Sequence, residues 1–207
     1  MAPTFSGGLE RTFTPLDQAV LRDHRRRLLT NAHGRVLELG GAAGINLDLY
    51  PASDVSEIVA TGVERRSRAA FERRAAHVAL PVRIADADDL EAPFDTVVAT
   101  FVLSGRRDLD HVLSWAAAQL ARESHLLFLD RGPRSFGVAG DLARPFSRVL
   151  GEGFAPPADV PAAIRRAGCT VTTVERFGLS TLTLPLRSLV SGIARLARPR
   201  RLPEEAA

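Results

Sequence analysis

The stretch that decides the fold lies at positions 35–44 and reads RVLEL followed by GGAAG. RVLEL is a short, mostly apolar run of the kind that forms a buried strand. The glycines that follow let the backbone turn sharply and approach a ligand where a Cβ atom would collide. The stretch therefore predicts a buried strand, carrying Glu38 near its carboxyl end, that opens onto a ligand-binding turn.

Short β-branched runs alternate with amphipathic segments along the rest of the chain. This alternation is typical of a mostly parallel sheet covered by helices on both faces. The predicted strands are 35–39, 57–63, 82–85, 94–100, 125–129, 170–177 and 188–194. The predicted helices are 15–29, a short helix through Leu49, 66–79, 109–120, 139–150 and 160–167.

The composition fits one globular domain, since the chain has 207 residues and 45% of them are apolar. We predict an N-terminal helical extension over 1–30, the main domain over 31–198 and a loose tail over 199–207. Cys169 is the single cysteine, so no intrachain disulfide can form, and no apolar leader precedes the first helix. These features predict a cytoplasmic protein without stable membrane insertion.

The basic side chains are all arginines, which gives a pI of about 10.2 but a formal net charge of only +3. Without lysine, a phosphate-binding P-loop and a pyridoxal Schiff base are excluded. The five histidines are scattered, so no metal site is predicted. Arginine runs at 25–27, 65–68 and 73–74 stand beside acidic residues and are interpreted as solvated helix faces, not as a nucleic-acid surface.

Acidic residues recur near the predicted carboxyl ends of the strands, at Glu38, Glu64, Asp86 and Asp130. In open α/β sheets, ligands bind outside these ends. Glu64 lies 20 residues after Gly44, a separation that lets a carboxylate reach the ribose hydroxyls of an adenosine above the first loop. Asp86, followed by the small Ala87, can meet the exocyclic amine of the adenine. The pattern predicts an adenosine-containing ligand.

The glycine loop also resembles a known family. Residues 36–46, VLELGGAAGIN, with LYP at 49–51, look like the first motif of class I S-adenosylmethionine-dependent methyltransferases. They are most similar to the branch reading LEVGxGTGxNxxxYP, found in methyltransferase-like thiol methyltransferases and phosphatidylethanolamine N-methyltransferase-like bacterial proteins. Further segments keep the family's order: ADADDL at 85–90, FDTVV at 94–98, FVLS at 101–104 and LLFLD at 126–130.

The resemblance implies a Rossmann-like α/β fold with a seven-stranded, mostly parallel sheet whose last strand is antiparallel. It implies S-adenosyl-L-methionine as the cofactor and direct in-line methyl transfer to a small-molecule acceptor. The implied cofactor contacts are Glu38, Gly40, Ala42 and Gly44 at the methionine part, Glu64 at the ribose, Asp86 and Ala87 at the adenine, and residues 100–102 (Thr100, Phe101, Val102) on the other side. Asn46 is a further implied cofactor contact. Candidate acceptor contacts are Tyr50, Arg131, Phe136 and Phe146, with segment 132–157 as a lid, and Asp130 is the candidate base.

Three departures from the family pattern bear on activity. The middle glycine of the loop is Ala42, which is tolerated at a negative φ but is expected to lower affinity, and the usual Thr or Ser beside it is Ala43. The Glu-His pair after the fifth strand is Asp130-Arg131, so a histidine base is missing. A later Cys-His or Cys-Asn is replaced at 153–154 by Gly-Phe. The branch's own substrate chemistry therefore does not carry over.

The same residues disfavour two other enzyme classes and leave one alternative. A nicotinamide-dependent oxidoreductase is disfavoured, because the loop lacks the GxGxxG spacing and the chain lacks a Tyr-x-x-x-Lys pair. A nucleic-acid methyltransferase is disfavoured, because the Asn/Asp-Pro-Pro-Tyr/Phe motif that holds a flipped base is absent after the fourth strand. A non-catalytic protein that binds adenosylmethionine stays the alternative. Asp130 is either a structural cap or part of the active site, and Tyr50 either packs the loop or touches substrate.

Overall fold

The computed structural model describes residues 3, 15–104, 106–132, 158–179 and 188–196 of the 207-residue chain. Its strands are β1 (Gly34–Leu39), β2 (Val55–Thr61), β3 (Val82–Ala85), β4 (Phe94–Thr100), β5 (Leu120–Arg131), β6 (Cys169–Gly178) and β7 (Ser188–Leu196). Its α-helices are α1 (Pro15–Leu29), α2 (Arg65–Ala75), α3 (Leu109–Ala118) and α4 (Val160–Arg166). The predicted helix over 139–150 and the predicted tail over 199–207 lie outside the described residues.

The strands form one sheet in the order β3-β2-β1-β4-β5-β7-β6. The pairs from β3 to β5 are parallel, whereas β7 is antiparallel to both of its neighbours, β5 and β6. The predicted seven-stranded sheet with an antiparallel last strand is confirmed. The strand order reverses beside β1, so a crevice opens between the carboxyl ends of β1 and β4.

Both faces of the central strands are buried, and successive side chains of a strand point to opposite faces. Val36 of β1 packs in one cluster with Leu21 and Leu29 of α1. Leu37, the next residue, packs in a second cluster with Leu113 of α3. Helix α1 thus completes the core on one face of the sheet. The predicted domain boundaries, 1–30, 31–198 and 199–207, stay a prediction. None of the described helices is long and apolar enough to cross a membrane.

The bounds of β2 differ from the prediction in a way that moves a site residue. β2 is Val55–Thr61, not 57–63, because Gly34 of β1 pairs with Val55. Gly62 follows with a φ of +69°, outside the range of a strand. Glu64 therefore lies at the start of α2, as its N-cap residue, and not at the end of a strand.

Two further elements correct the sequence prediction. Helix α2 ends at Ala75 instead of 79, because the chain then turns with a hydrogen bond from His77 N to Arg74 O. Strand β5 begins at Leu120, directly after α3, because Leu120 pairs with Phe94. The predicted helix over 109–120 therefore ends at Ala118.

The connection between β1 and β2 carries two 3-10 turns, Ala42–Gly44 and Leu47–Leu49, and no α-helix. Parallel strands are usually joined by a crossover helix, and the sequence predicted a short one through Leu49. Gly44 has a φ of +78°, which interrupts a continuous helix between the two turns. Helices α1 and α2 therefore flank a connection that consists of two short turns instead of the usual crossover helix.

Candidate functional site

The turn after β1 lies at the crevice between β1 and β4. Gly40, Gly41 and Gly44 have φ angles of +79°, +54° and +78°, which L residues rarely adopt. A Cβ atom on Gly40 would lie only 2.5 Å from Cγ1 of Val102, which follows β4. Gly40 therefore lets the loop after β1 and the loop after β4 pack against each other.

The two alanines of this turn take different conformations. Ala42 begins a 3-10 turn, a conformation with negative φ, so no left-handed strain falls on it. Ala43 is left-handed, with φ 55° and ψ 18°, which costs an L residue about 1–2 kcal/mol. The guanidinium of Arg74 in α2 donates a hydrogen bond to the Ala43 carbonyl oxygen and holds the turn. Of the two alanines that depart from the family's loop pattern, Ala43 therefore strains the backbone and Ala42 does not.

A buried polar network joins the carboxyl ends of β1 and β4. The Glu38 carboxylate is fully buried and accepts hydrogen bonds of 2.9 Å from both Asn46 Nδ2 and the Tyr50 hydroxyl. Asn46 Nδ2 also donates to Thr100 Oγ1 over 3.1 Å. Burial raises the pKa of Glu38, although the bonds from Tyr50 and Asn46 oppose the shift. The network brings together four of the predicted site residues.

Arg25 also belongs to this region, although the sequence analysis does not predict it there. The arginine run 25–27 predicts a solvated helix face, yet Arg25 is only 2% exposed, and its guanidinium lies 5.5 Å from the centroid of the Phe101 ring. Its charge also lowers the pKa of Glu38, against the effect of burial. Helical spacing gives the signal: Arg25 is four residues after Leu21 and three before Leu28, both buried.

Glu64 and Asp86 extend beyond the same edge of the sheet. Thr61 and Ala85, the last residues of β2 and β3, are partners in the parallel register, and Asp86 follows Ala85 directly. Glu64 precedes α2, and its carboxylate accepts a hydrogen bond from the Arg66 guanidinium. Because β2 and β3 are adjacent, Glu64 and Asp86 lie on neighbouring connections, and their predicted contacts with one adenosine stay a prediction.

Asp130 is fully buried at the end of β5 and anchors the loop after β4. Its carboxylate accepts hydrogen bonds of 2.7 Å from the backbone N–H groups of Leu103 and Arg131, and one from the Ser104 hydroxyl. Burial raises the pKa of Asp130, against these bonds. Three donors occupy the carboxylate, which favours the structural interpretation, while the catalytic role stays a prediction.

The loop that Asp130 anchors begins with an unusual backbone. Phe101 has a φ of +54°, and its N–H donates to the Leu129 carbonyl oxygen over 2.8 Å. Strained residues of this kind cluster at binding sites, where the surrounding structure holds them in place. The arrangement turns the chain abruptly after β4 and places Val102 against Gly40.

Comparison with known proteins identifies the family. Residues 15–177 match the methyltransferase-domain family, which is more than half of the chain. The chain belongs to this family. The methyltransferase has no significant match among curated protein sequences.

Solved structures share the fold of this methyltransferase. The N-methyltransferase NodS from Bradyrhizobium japonicum WM9, in complex with S-adenosyl-L-homocysteine, aligns with a TM-score of 0.66 at 16% identity over 91% of each chain. The magnesium protoporphyrin IX methyltransferase of Synechocystis PCC 6803, with bound S-adenosyl-L-homocysteine, aligns with a TM-score of 0.59 at 16% identity over 86% of this chain and 83% of its own. At these identities the similarity concerns the fold.

The family membership confirms the predicted enzyme class, and the predicted cofactor, S-adenosylmethionine, is confirmed with it. The narrower branch, inferred from the LEVGxGTGxNxxxYP pattern, stays a prediction. So do the roles of the individual site residues.

Of the predicted acceptor contacts, Tyr50 and Arg131 lie within the described residues. Phe136, Phe146 and positions 133–157 of the predicted lid lie outside the described residues. Arg131 is buried, and its Nε donates to Ser104 Oγ over 3.0 Å. Burial lowers the pKa of Arg131, while the Asp130 charge opposes that shift. In the described structure, Arg131 thus contacts the loop after β4.

Proposed function

We propose that this methyltransferase transfers the methyl group of S-adenosylmethionine to a small-molecule acceptor by direct in-line displacement. The observation that supports this most is the buried network of Glu38, Asn46, Tyr50 and Thr100 beside the glycine loop. It stands at the reversal of strand order, where open α/β sheets bind ligands.

The residues at the strand ends fit the cofactor. Asn46 Oδ1 and Thr61 Oγ1 are buried side-chain atoms that lack a hydrogen-bond partner in the described part of the chain. A buried acceptor without a partner is costly, so Asn46 Oδ1 suits a donor from the ligand, such as the ammonium of the methionine part. In this proposal the Gly40, Ala42 and Gly44 backbone borders the same part.

The remaining cofactor contacts follow the strand order. Glu64 holds the ribose hydroxyls and Asp86, with the Ala87 backbone, holds the adenine. Thr100, Phe101 and Val102 border the cofactor from the loop after β4. These roles are supported by the shared sheet edge of β2 and β3 and by the close packing of Val102 on Gly40.

S-adenosylmethionine, when bound, supplies a methyl carbon that the sulfonium has already activated. The chain must then align the acceptor atom and exclude water. Tyr50, Phe101 and Val102 are at most 7% exposed, so we propose that these buried residues help to keep water from the bound cofactor. The Tyr50 hydroxyl donates a hydrogen bond to the Glu38 carboxylate, so the phenol is held in one orientation.

The buried carboxyls described here are poor bases for an alcohol. Glu38 accepts from Asn46 and Tyr50, and Asp130 accepts from three donors. A carboxylate has a pKa far below that of an aliphatic alcohol and cannot readily take its proton. The preferred acceptors are therefore thiols, acidic phenols, carboxylates or amines with a free lone pair.

The partners and location follow from the sequence. The net charge of +3 and the missing flipped-base motif favour a small molecule over nucleic acid. The single cysteine favours a reducing compartment, which we propose is the cytoplasm.

An acceptor screen tests the proposed chemistry. With S-adenosylmethionine, the parent chain is expected to methylate thiols, acidic phenols or amines at least about 10-fold faster than matched aliphatic alcohols, because the acceptor supplies its own nucleophile. Efficient methylation of simple alcohols, or of long RNA or DNA instead of small molecules, would contradict the proposal.

The same assay separates the two interpretations of Asp130. If Asp130 anchors the loop, Asp130→Asn and the control Ser104→Ala both lower the rate, and the pH profile keeps its shape. Loss of the acidic limb in Asp130→Asn alone would show instead that Asp130 takes a proton from the acceptor.

A further inference from the structure

A cavity separate from the proposed cofactor contacts at β2, β3 and β4 lies beside the glycine loop. It has a volume of about 590 Å³ and opens between α1, α2 and the two 3-10 turns. Gly44 is the one residue that it shares with the predicted cofactor contacts among its described lining. The cavity stands beside the β1–β2 connection, where a crossover helix is usual and is replaced here by two turns.

One face of α2 and the turn after it form a basic wall of this cavity. Arg73, Arg74 and His77 line it, together with Ala70 one turn earlier in the helix and Val78 after the helix end. His77 Nδ1 lies 2.6 Å from the Arg73 carbonyl oxygen, which fixes the imidazole at the end of the helix. The wall therefore combines two guanidiniums, an imidazole and apolar side chains.

The charges of the cavity are unbalanced. Asp48 is the one acidic residue of its described lining, and it is paired with Arg22 at 2.5 Å. The hydrogen bond from Arg22 lowers the pKa of Asp48, and the charge of Arg74 contributes to the same shift. Within the described ranges, Arg73 and Arg74 make no ion pair with a carboxylate. The two guanidiniums thus face the cavity with their charge uncompensated at contact distance.

We propose that this cavity is a second ligand site, which binds a small organic phosphate with an apolar body. Arginine forks match phosphate oxygens, and two guanidiniums with an imidazole suit a doubly charged group better than a single carboxylate. Ile45 and Val78, which are partly exposed, supply apolar contacts for the rest of the ligand. The volume lies within the range of roughly 300–1,000 Å³ that small-molecule sites occupy.

The site communicates with the glycine loop through Arg74. The Arg74 guanidinium holds the carbonyl of Ala43, whose left-handed backbone forms part of the loop. A phosphate that recruits Arg74 weakens this support. Cofactor affinity then falls when the second site is occupied, and by linkage the cofactor lowers phosphate affinity by the same factor.

Calorimetric titration with phenyl phosphate tests the site without any methyl-transfer assay. The parent chain is expected to show one saturable site, and phenol, which lacks the phosphate, is expected not to bind. Arg73→Gln, which leaves the Arg74–Ala43 bond in place, should weaken binding about 10-fold through the loss of one charged contact. A parent chain that takes up no phenyl phosphate at millimolar concentration would overturn the proposal.

A matched pair of double variants excludes a general charge effect. Arg73→Gln/Arg74→Gln removes two charges from the wall of the cavity. Arg65→Gln/Arg68→Gln removes two from exposed positions of the same helix that do not line it. Binding should be lost in the first and kept in the second, and equal weakening in both would overturn the site.

The link to the loop has its own measurement. Saturating phenyl phosphate is expected to raise the dissociation constant of S-adenosylhomocysteine by about 5-fold or more, a typical coupling between two sites. The shift should disappear in Arg74→Gln. An unchanged dissociation constant in the parent chain would overturn the link.

Discussion

Gly40→Ala is expected to reduce methyl transfer by about 100-fold, the cost of misplacing reacting groups by about 1 Å. The new Cβ atom would lie 2.5 Å from Val102 Cγ1, so the loop after β1 and the loop after β4 must separate. The left-handed backbone, at φ +79°, adds strain of about 1–2 kcal/mol. The free energy of unfolding should fall by that strain and by the overpacking, which typically costs about 1–3 kcal/mol.

Gly168→Ala is the matched control for this substitution. Gly168 has a φ of +86°, but a Cβ atom built there meets nothing within 4 Å. It should therefore show the strain without the clash and keep full activity. Gly40→Ala/Val102→Ala relieves the clash and should recover part of the lost rate. Equal activity losses in Gly40→Ala and Gly168→Ala would show that contact between the two loops does not position the cofactor.

Glu64→Ala is expected to weaken binding of S-adenosylhomocysteine about 10- to 150-fold, the factor that corresponds to charge-assisted hydrogen bonds of roughly 1.5–3 kcal/mol. The fold should tolerate the change, because within the described residues the Glu64 side chain is paired with Arg66 alone, whose side chain is 55% exposed. A salt bridge to a solvent-exposed arginine contributes little to stability.

Two variants of the same region sharpen the Glu64 test. Glu72→Ala removes a carboxylate that pairs with Arg68 on the outer side of α2 and should leave the affinity unchanged. Arg66→Gln frees Glu64 from its pair and should not reduce the affinity. Calorimetry with S-adenosylhomocysteine measures all three variants. A Glu64→Ala protein that binds as tightly as the parent would remove Glu64 from the ribose site.

Much of the fold could be predicted because its signals are local. The apolar run at 35–39, the glycines after it and the alternation of strands and helices are all visible in sequence. They led to the seven-stranded sheet and to the family. The positions of strand ends were less accurate, since pairing between distant strands decides them: Val55 joins β2 because Gly34 is its partner.

The candidate site residues could be predicted from the sequence, but the contacts between them could not. Glu38, Asn46 and Tyr50 lie close together in sequence. Their spacing does not indicate, however, that the Glu38 carboxylate accepts hydrogen bonds from both of the other side chains. Arg25 looked solvated as part of an arginine run, yet the periodicity of α1 buries it. The cavity beside the glycine loop depends on the missing crossover helix, which only the tertiary structure shows.

Calorimetry of the parent chain with S-adenosylmethionine, S-adenosylhomocysteine and NAD tests the central claim most directly. The geometry at the ends of β1, β2 and β3 predicts one site per chain for each adenosyl compound and no binding of NAD, because the loop lacks the GxGxxG spacing. Absence of binding by both adenosyl compounds at millimolar concentration, or uptake of NAD at the same site, would contradict it.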